Sequence, residues 1–233
     1  MPRRPGRVAL WALSLVVMLV GCTGQSRGRA AVSPRSQPVS TAPSTAPSSP
    51  PANGFTIAAT GDLLPHEPVV IAAARAAGGR GYDFRPLFAE VRPILSQADL
   101  AICHLEAPLS ADDRTLSYYP NFQSPGEIAA AVRWAGFDTC TTASNHTLDV
   151  GPAGVRHTLG LLDAAGVQHV GAARTAAEAA RPHLYTVRGF RVAHLDYTYG
   201  LNGRQVPASQ PWLVPVIDAA RILREAHAAR VAG

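Results

Sequence analysis

The chain has 233 residues, of which 21 are Lys or Arg and 16 are Asp or Glu, giving a formal net charge of +5. That excess is local: every cation is an arginine, six of them precede residue 54, and from Gly54 onward 15 arginines face all 16 carboxylates for a net charge of −1. A near-neutral domain without a basic stripe excludes nucleic acid as the partner that explains the charge. The 180 residues from Gly54 to Gly233 suffice for one domain with a sizeable core.

Arg3, Arg4 and Arg7 form a positive leader, and Val8 to Val20 is an apolar run too short to span a bilayer comfortably. It ends in Leu19-Val20-Gly21-Cys22, which resembles a lipobox, with the small Gly21 before the cysteine. Residues 1–21 therefore read as a lipoprotein signal peptide and Cys22 as a lipidated residue. The implied location is the extracytoplasmic face of the cell membrane, lipid-anchored, with the membrane as one partner. An ordinary signal peptide with an incidental cysteine is the alternative. Residues 22–53, rich in Pro, Ser, Thr and Ala, bury too little surface to offset ordering entropy and read as a disordered tether. The arginines of this region suit anionic headgroups.

From residue 54 the pattern alternates. Residues 55–60, "FTIAAT", predict a strand stopped by Gly61-Asp62, and helical spacing follows over 68–77 and over 86–97, the latter opening at Pro86. Residues 99–106, "DLAICHLE", predict a buried strand. A helix is then marked at both ends, by Ser124 as N-cap with Pro125 and Glu127 behind it and by Gly136 as stop. Residues 137–143 predict the next strand, 151–166 a helix closed by Gly166, 167–170 a short strand and 175–180 a short helix. "HLYTV" and "RVAHLDYTYG" flank Arg188-Gly189-Phe190 as a hairpin, and a helix over about 216–230 ends the chain. Cys103 and Cys140, each inside an apolar strand, are expected as buried free thiols.

Repeated strand–helix units predict an α/β fold with ligands at the carboxyl ends of parallel strands. Asp62, Glu106 and the pair Asn145-His146 fall at three such ends. Carboxylates, an amide and an imidazole converging there form a ligand set for Mn, Fe, Zn or Mg. Each residue also has a plainer reading. Asp62 serves equally as a turn residue, Glu106 as a solvated strand end, Asn145 as a cap, and His146 as the holder of a local hydrogen bond. Asp149 either caps the following helix or orients the His146 ring by accepting its second N–H.

The segments "TGDLLPH", "HLEAPL", "FQSPGEIAAAVRWAGFDTCTTASNHTLDVGPAGVRHTLGLLDAAGVQHVGAAR" and "YTYGLNG" resemble, in order, the CapA family of poly-γ-glutamate capsule-synthesis proteins, within the calcineurin-like metallophosphatase superfamily. The resemblance spans residues 55 to 203. The usual family pattern has Gly-Asp, Asn-Leu-Glu and Asn-Asn-His. Here Gly61-Asp62 and Leu105-Glu106 match, His104 and Ser144 replace an asparagine each, and Asn145-His146 are retained. The resemblance implies a metallophosphatase-like layered α/β sandwich over 54–233, with Asp62, Glu106 and Asn145 as metal ligands and His146 as a proton donor helped by Asp149. His66 and His104 are additional ligand candidates. It also implies a capsule or cell-envelope role with an anionic polymer or the capsule-synthesis machinery as partner, either as a metal-dependent hydrolase or as a non-catalytic scaffold. The family's later His-Trp-Gly-like and Gly-His-His-Pro-His-like motifs have no counterpart before Gly233. The fold is therefore expected to be incomplete at the C-terminus, with an unpaired sheet edge, and the chain alone to bind divalent metal weakly and turn over phosphoester poorly.

Overall fold

The computed structural model describes residues 53–233; the expected signal peptide, Cys22 and the expected tether up to residue 52 lie outside the described residues. Four strands, β1 (Ile57–Leu63), β2 (Leu100–Leu105), β3 (Thr139–Thr141) and β4 (Gln168–Val170), form one sheet in that order, every pair parallel. Parallel neighbours need crossovers, and helices supply them. These are α1 (Glu67–Ala76), α2 (Arg85–Phe88) and α3 (Arg92–Leu95) between β1 and β2, α4 (Ile128–Ala135) between β2 and β3, and α5 (Gly151–Ala165) between β3 and β4. After the short α6 (Ala176–Ala179) come an antiparallel hairpin, β5 (His183–Val187) and β6 (Phe190–His194), and a final helix, α7 (Ala219–Val231). Among the described residues no helix is long and apolar enough to cross a membrane.

The period of two in β2 sorts its side chains into two layers. Ala101, Cys103 and Leu105 join the main core with Ile128 and Val132 of α4, Phe137, and Val155, Leu159 and Leu162 of α5. Leu100 and Ile102 point the other way and pack with Tyr185 and Val187 of β5. Helices thus cover one face of the sheet and the hairpin the other. A fully buried Phe137 or Leu159 stabilises this arrangement by about 1.5–3 kcal/mol each. Tyr185 adds a buried bond across the layers, its hydroxyl donating to Thr139 Oγ1 at 2.9 Å. β1 is an edge strand, exposed along most of its length, with Ile57 48% accessible.

Four expectations are corrected here. The helix foreseen over 86–97 is two single turns, because Pro93 has no N–H for a continuous ladder and its ring clashes with the carbonyl four residues back. Ser124 is not an N-cap: its N–H donates to Pro108 O and its carbonyl accepts from Ser110 N in a bridge to Leu109, so α4 starts only at Ile128. β1 does not stop before Gly61-Asp62 but runs to Leu63 through an irregularity in register between Ala59 and Asp62. Cys103 and Cys140 are joined as a disulfide, since the β2–β3 register sets them opposite each other at 4.4 Å between Cα atoms. The two glycine stops hold: Gly136 and Gly166 take left-handed φ values of 103° and 71°, which close α4 and α5.

Candidate functional site

The sheet register brings Asp62, His104 and Thr141 side by side across β1, β2 and β3, on the face away from the main core. His104 Nδ1 bonds Thr141 Oγ1 at 2.6 Å, which turns Nε2 toward Asp62 Oδ1 at 4.0 Å. Burial disfavours the charged imidazole and lowers its pKa, with Asp62 opposing that shift. Thr141 was not foreseen as part of this row; only the register reveals it.

Glu106 follows the last residue of β2 and is buried, its side chain 9% exposed. Its Oε2 has no hydrogen-bond partner. Burial first, then the neighbouring Asp62 carboxylate, push its pKa up to about 7, against the attraction of His146. A buried carboxyl group and an exposed one, Asp62 at 67% side-chain accessibility, therefore stand as neighbours at the ends of β1 and β2.

The segment after β3 is a chain of tight turns rather than the start of α5. The Thr147 hydroxyl donates to Thr142 O at 2.8 Å and accepts from Ser144 N at 2.7 Å, and the Ser144 hydroxyl accepts from His146 N at 3.1 Å. These bonds lift Asn145 and His146 to the strand ends. Asp149 does not cap α5, whose N-cap residue is Val150 with no side-chain cap. Its Oδ2 lies 2.6 Å from His146 Nδ1 and accepts from Phe122 N at 2.7 Å. That pairing fixes the imidazole, whose Nε2 lies 3.9 Å from Glu106 Oε1. The Phe122 ring meets it nearly at right angles, centroids 4.8 Å apart.

His66 follows β1 and meets Phe122, the ring that also meets His146. It is exposed, and its ring packs nearly at right angles to Phe122 at 5.0 Å between centroids. Among the described residues no set of three His, Cys, Asp or Glu side chains stands at metal-holding separation. Asp62 with Glu106, His104 with Asp62, and His146 with Glu106 and Asp149 are the pairs that the fold brings together.

Three further residues were missed. Asp196, just past β6, accepts from Thr142 N and Ala143 N at 2.9 and 2.7 Å and so anchors the start of the turn segment; burial raises its pKa to about 6. A lone acid within the apolar run "VAHLDYT" was the available signal. Asn202 donates from Nδ2 toward His146 and accepts from Asn145 Nδ2 at 3.3 Å. Arg204 Nε lies 3.8 Å from Asp149 Oδ1 while its Nη2 donates to Asn121 Oδ1 at 2.7 Å.

A family model described as "Bacterial capsule synthesis protein PGA_cap" matches residues 56–231. Two uncharacterized proteins of Sinorhizobium fredii, y4uA and y4sH, are each 31% identical over 182 residues, covering 74% of this chain and 37% of theirs. "Capsule biosynthesis protein CapA" of Bacillus anthracis is 28% identical over 123 residues, covering 51% of this chain and 29% of that protein. The chain thus spans 37% of the length of the two Sinorhizobium relatives it matches.

Proposed function

Because the chain belongs to the bacterial capsule synthesis protein family PGA_cap, we propose that it serves capsule biosynthesis through a metallophosphatase-like, metal-dependent hydrolytic site at the ends of β1, β2 and β3. The observation that carries this reading is the orphaned Glu106 Oε2, a buried carboxylate oxygen beside Asp62 with no donor of its own. Burying such a group without a partner is costly, and a cation relieves both the missing contact and the repulsion between the carboxylates. The residues fit one hard divalent ion. Asp62, Glu106 and the Asn145 amide oxygen would hold it, and oxygen donors suit Mn²⁺ or Mg²⁺.

A bound divalent ion supplies Lewis-acid polarisation of a phosphoryl or carbonyl oxygen. The chain's own groups supply the proton chemistry. Asp149 accepts from His146 Nδ1, so Nε2 is left to give a proton to a leaving oxygen or take one from a nucleophile. Phe122 covers one side of the ring and keeps water from it. In the same reading, Cys22 carries a lipid, residues 23–53 hold the domain off the extracytoplasmic face of the membrane, and the substrate is an anionic polymer or an intermediate of its assembly.

One observation favours a second reading, a non-catalytic polymer-binding or scaffold subunit: among the described residues no three His, Cys, Asp or Glu groups converge. Calorimetric titration separates the two. Mn²⁺ added to the full chain is expected to give a weak, saturable isotherm with one ion per chain, absent in Asp62→Asn and Glu106→Gln. No heat in the wild type overturns the metal reading. Binding with no hydrolysis of 4-nitrophenyl phosphate selects the scaffold.

A further inference from the structure

The segment "YTYGLNG", Tyr197 to Gly203, follows β6 and reaches the strand ends. Its last residues form a tight turn. Asn202 and Gly203 both have left-handed φ values, 51° and 82°, and Arg204 N donates to Leu201 O at 2.9 Å. Two successive positive φ angles closed by such a bond belong to a type I′ turn, for which Asn-Gly is the preferred sequence. The backbone of this turn is therefore encoded locally and is in place without help from the site.

What the turn delivers is specific. The Asn202 side-chain nitrogen stands 3.5 Å from His146 Nδ1 and 3.4 Å from Nε2. An in-plane bond to one ring nitrogen would leave the other much farther away, so the carboxamide lies over the face of the imidazole. Phe122 meets the same ring nearly at right angles, and Asp149 holds Nδ1 in the plane. The Asn202 oxygen accepts from Asn145 Nδ2, while Asn145 Oδ1 accepts from the Ser144 hydroxyl at 3.3 Å. One side chain thus touches both residues of the Asn-His pair, from a turn more than fifty residues away in sequence.

We propose that Asn202 is a positioning residue, whose carboxamide locks the His146 ring from above and sets which atom of the Asn145 amide faces the carboxylates. The inference deepens the proposed metal-dependent site and rests on that reading for its consequence. It does not rest on it for its geometry. Asn202→Gly is the informative variant: glycine keeps the left-handed turn without strain and deletes only the carboxamide. Asn202→Asp keeps the turn and the acceptor for Asn145 and removes the N–H over the ring, so a second route remains open if the glycine variant folds poorly.

The readout is the side-chain nitrogen spectrum of histidine-labelled full chain in EDTA at pH 8, with the His146 signals identified by their loss in His146→Gln. Asn202→Gly and Asn202→Asp are each expected to shift and broaden the His146 ring signals, while those of His157 and His227, on α5 and α7, stay in place. Mn²⁺ affinity of Asn202→Gly is expected to fall about tenfold, the usual effect of losing a group that orients a ligand. Unchanged His146 signals in a folded variant overturn the proposal, as does unchanged affinity if the wild type binds. A wild type that binds no Mn²⁺ removes the metal site instead and leaves Asn202 to be decided by the ring spectrum alone.

Discussion

Glu106 should act against the stability of the metal-free protein. Its side chain is 9% exposed, one oxygen has no partner, and Asp62 adds like charge, so the folded state holds its proton up to about pH 7 against an ordinary value of 4.5. The folded pKa is the higher one. The favourable contribution is therefore fully present below 4.5 and lost as pH rises through about 7. Between complete protonation and complete ionisation that shift is linked to about 3 kcal/mol. Water at the rim and relaxation of Asp62 reduce it, so Glu106→Gln, close in shape to the protonated acid, should gain about 1–3 kcal/mol at pH 8. For a domain of this size the gain is about 3–8 °C in Tm. The assay is thermal denaturation followed by circular dichroism in EDTA at pH 8 and pH 5. At pH 5 the gain should shrink below about 1 kcal/mol. Adding Mn²⁺ at pH 8 should raise the Tm of the wild type and not of the variant, because only the folded wild type binds. A variant no more stable than wild type at pH 8, or equally stabilised at both pH values, refutes the reasoning.

Two other substitutions probe the supports of the site. Gly171→Ala forces a left-handed φ of 108° on a residue with a side chain and drives its Cβ into Asp196 Oδ2 and Ala143, so the loss should be at least about 2 kcal/mol in urea denaturation. Because Asp196 anchors the turn segment, that variant should also lose Mn²⁺ binding where it remains folded. Tyr185→Phe leaves the buried Thr139 hydroxyl without its donor and should cost about 1–2 kcal/mol. Hydrogen exchange is expected to quicken first in β5 and β6, the layer that this bond pins to the sheet.

What could be read from the chain was what depends on neighbours in sequence. The alternation of apolar runs with helical spacing fixed the parallel sheet, Gly136 and Gly166 marked two helix ends, and Glu106 and Asn145-His146 stood where an α/β sheet exposes its strand ends. Local rules failed where a distant partner decides. Ser124 looks like a cap until Leu109 pairs with it, and Cys103 and Cys140 look like separate buried thiols until the β2–β3 register sets them opposite each other. Asp62 looks like a turn residue until His104 draws it into β1. Pro93 is a local signal too, and it marks the break between α2 and α3. Asn202-Gly203 was legible as a turn, but nothing in "LNGR" tells that it closes over His146, since that contact depends on how the segment after β6 crosses the strand ends.

The central claim is that one divalent cation sits between Asp62 and Glu106. Anomalous diffraction from crystals of the protein grown with Mn²⁺ tests it most directly. One peak is expected, within bonding distance of a carboxylate oxygen from each residue and adjacent to Asn145, and it should be lost in Glu106→Gln. A peak elsewhere, such as beside His183 and His194 on the hairpin, or none at all with the carboxylates unchanged, would contradict it.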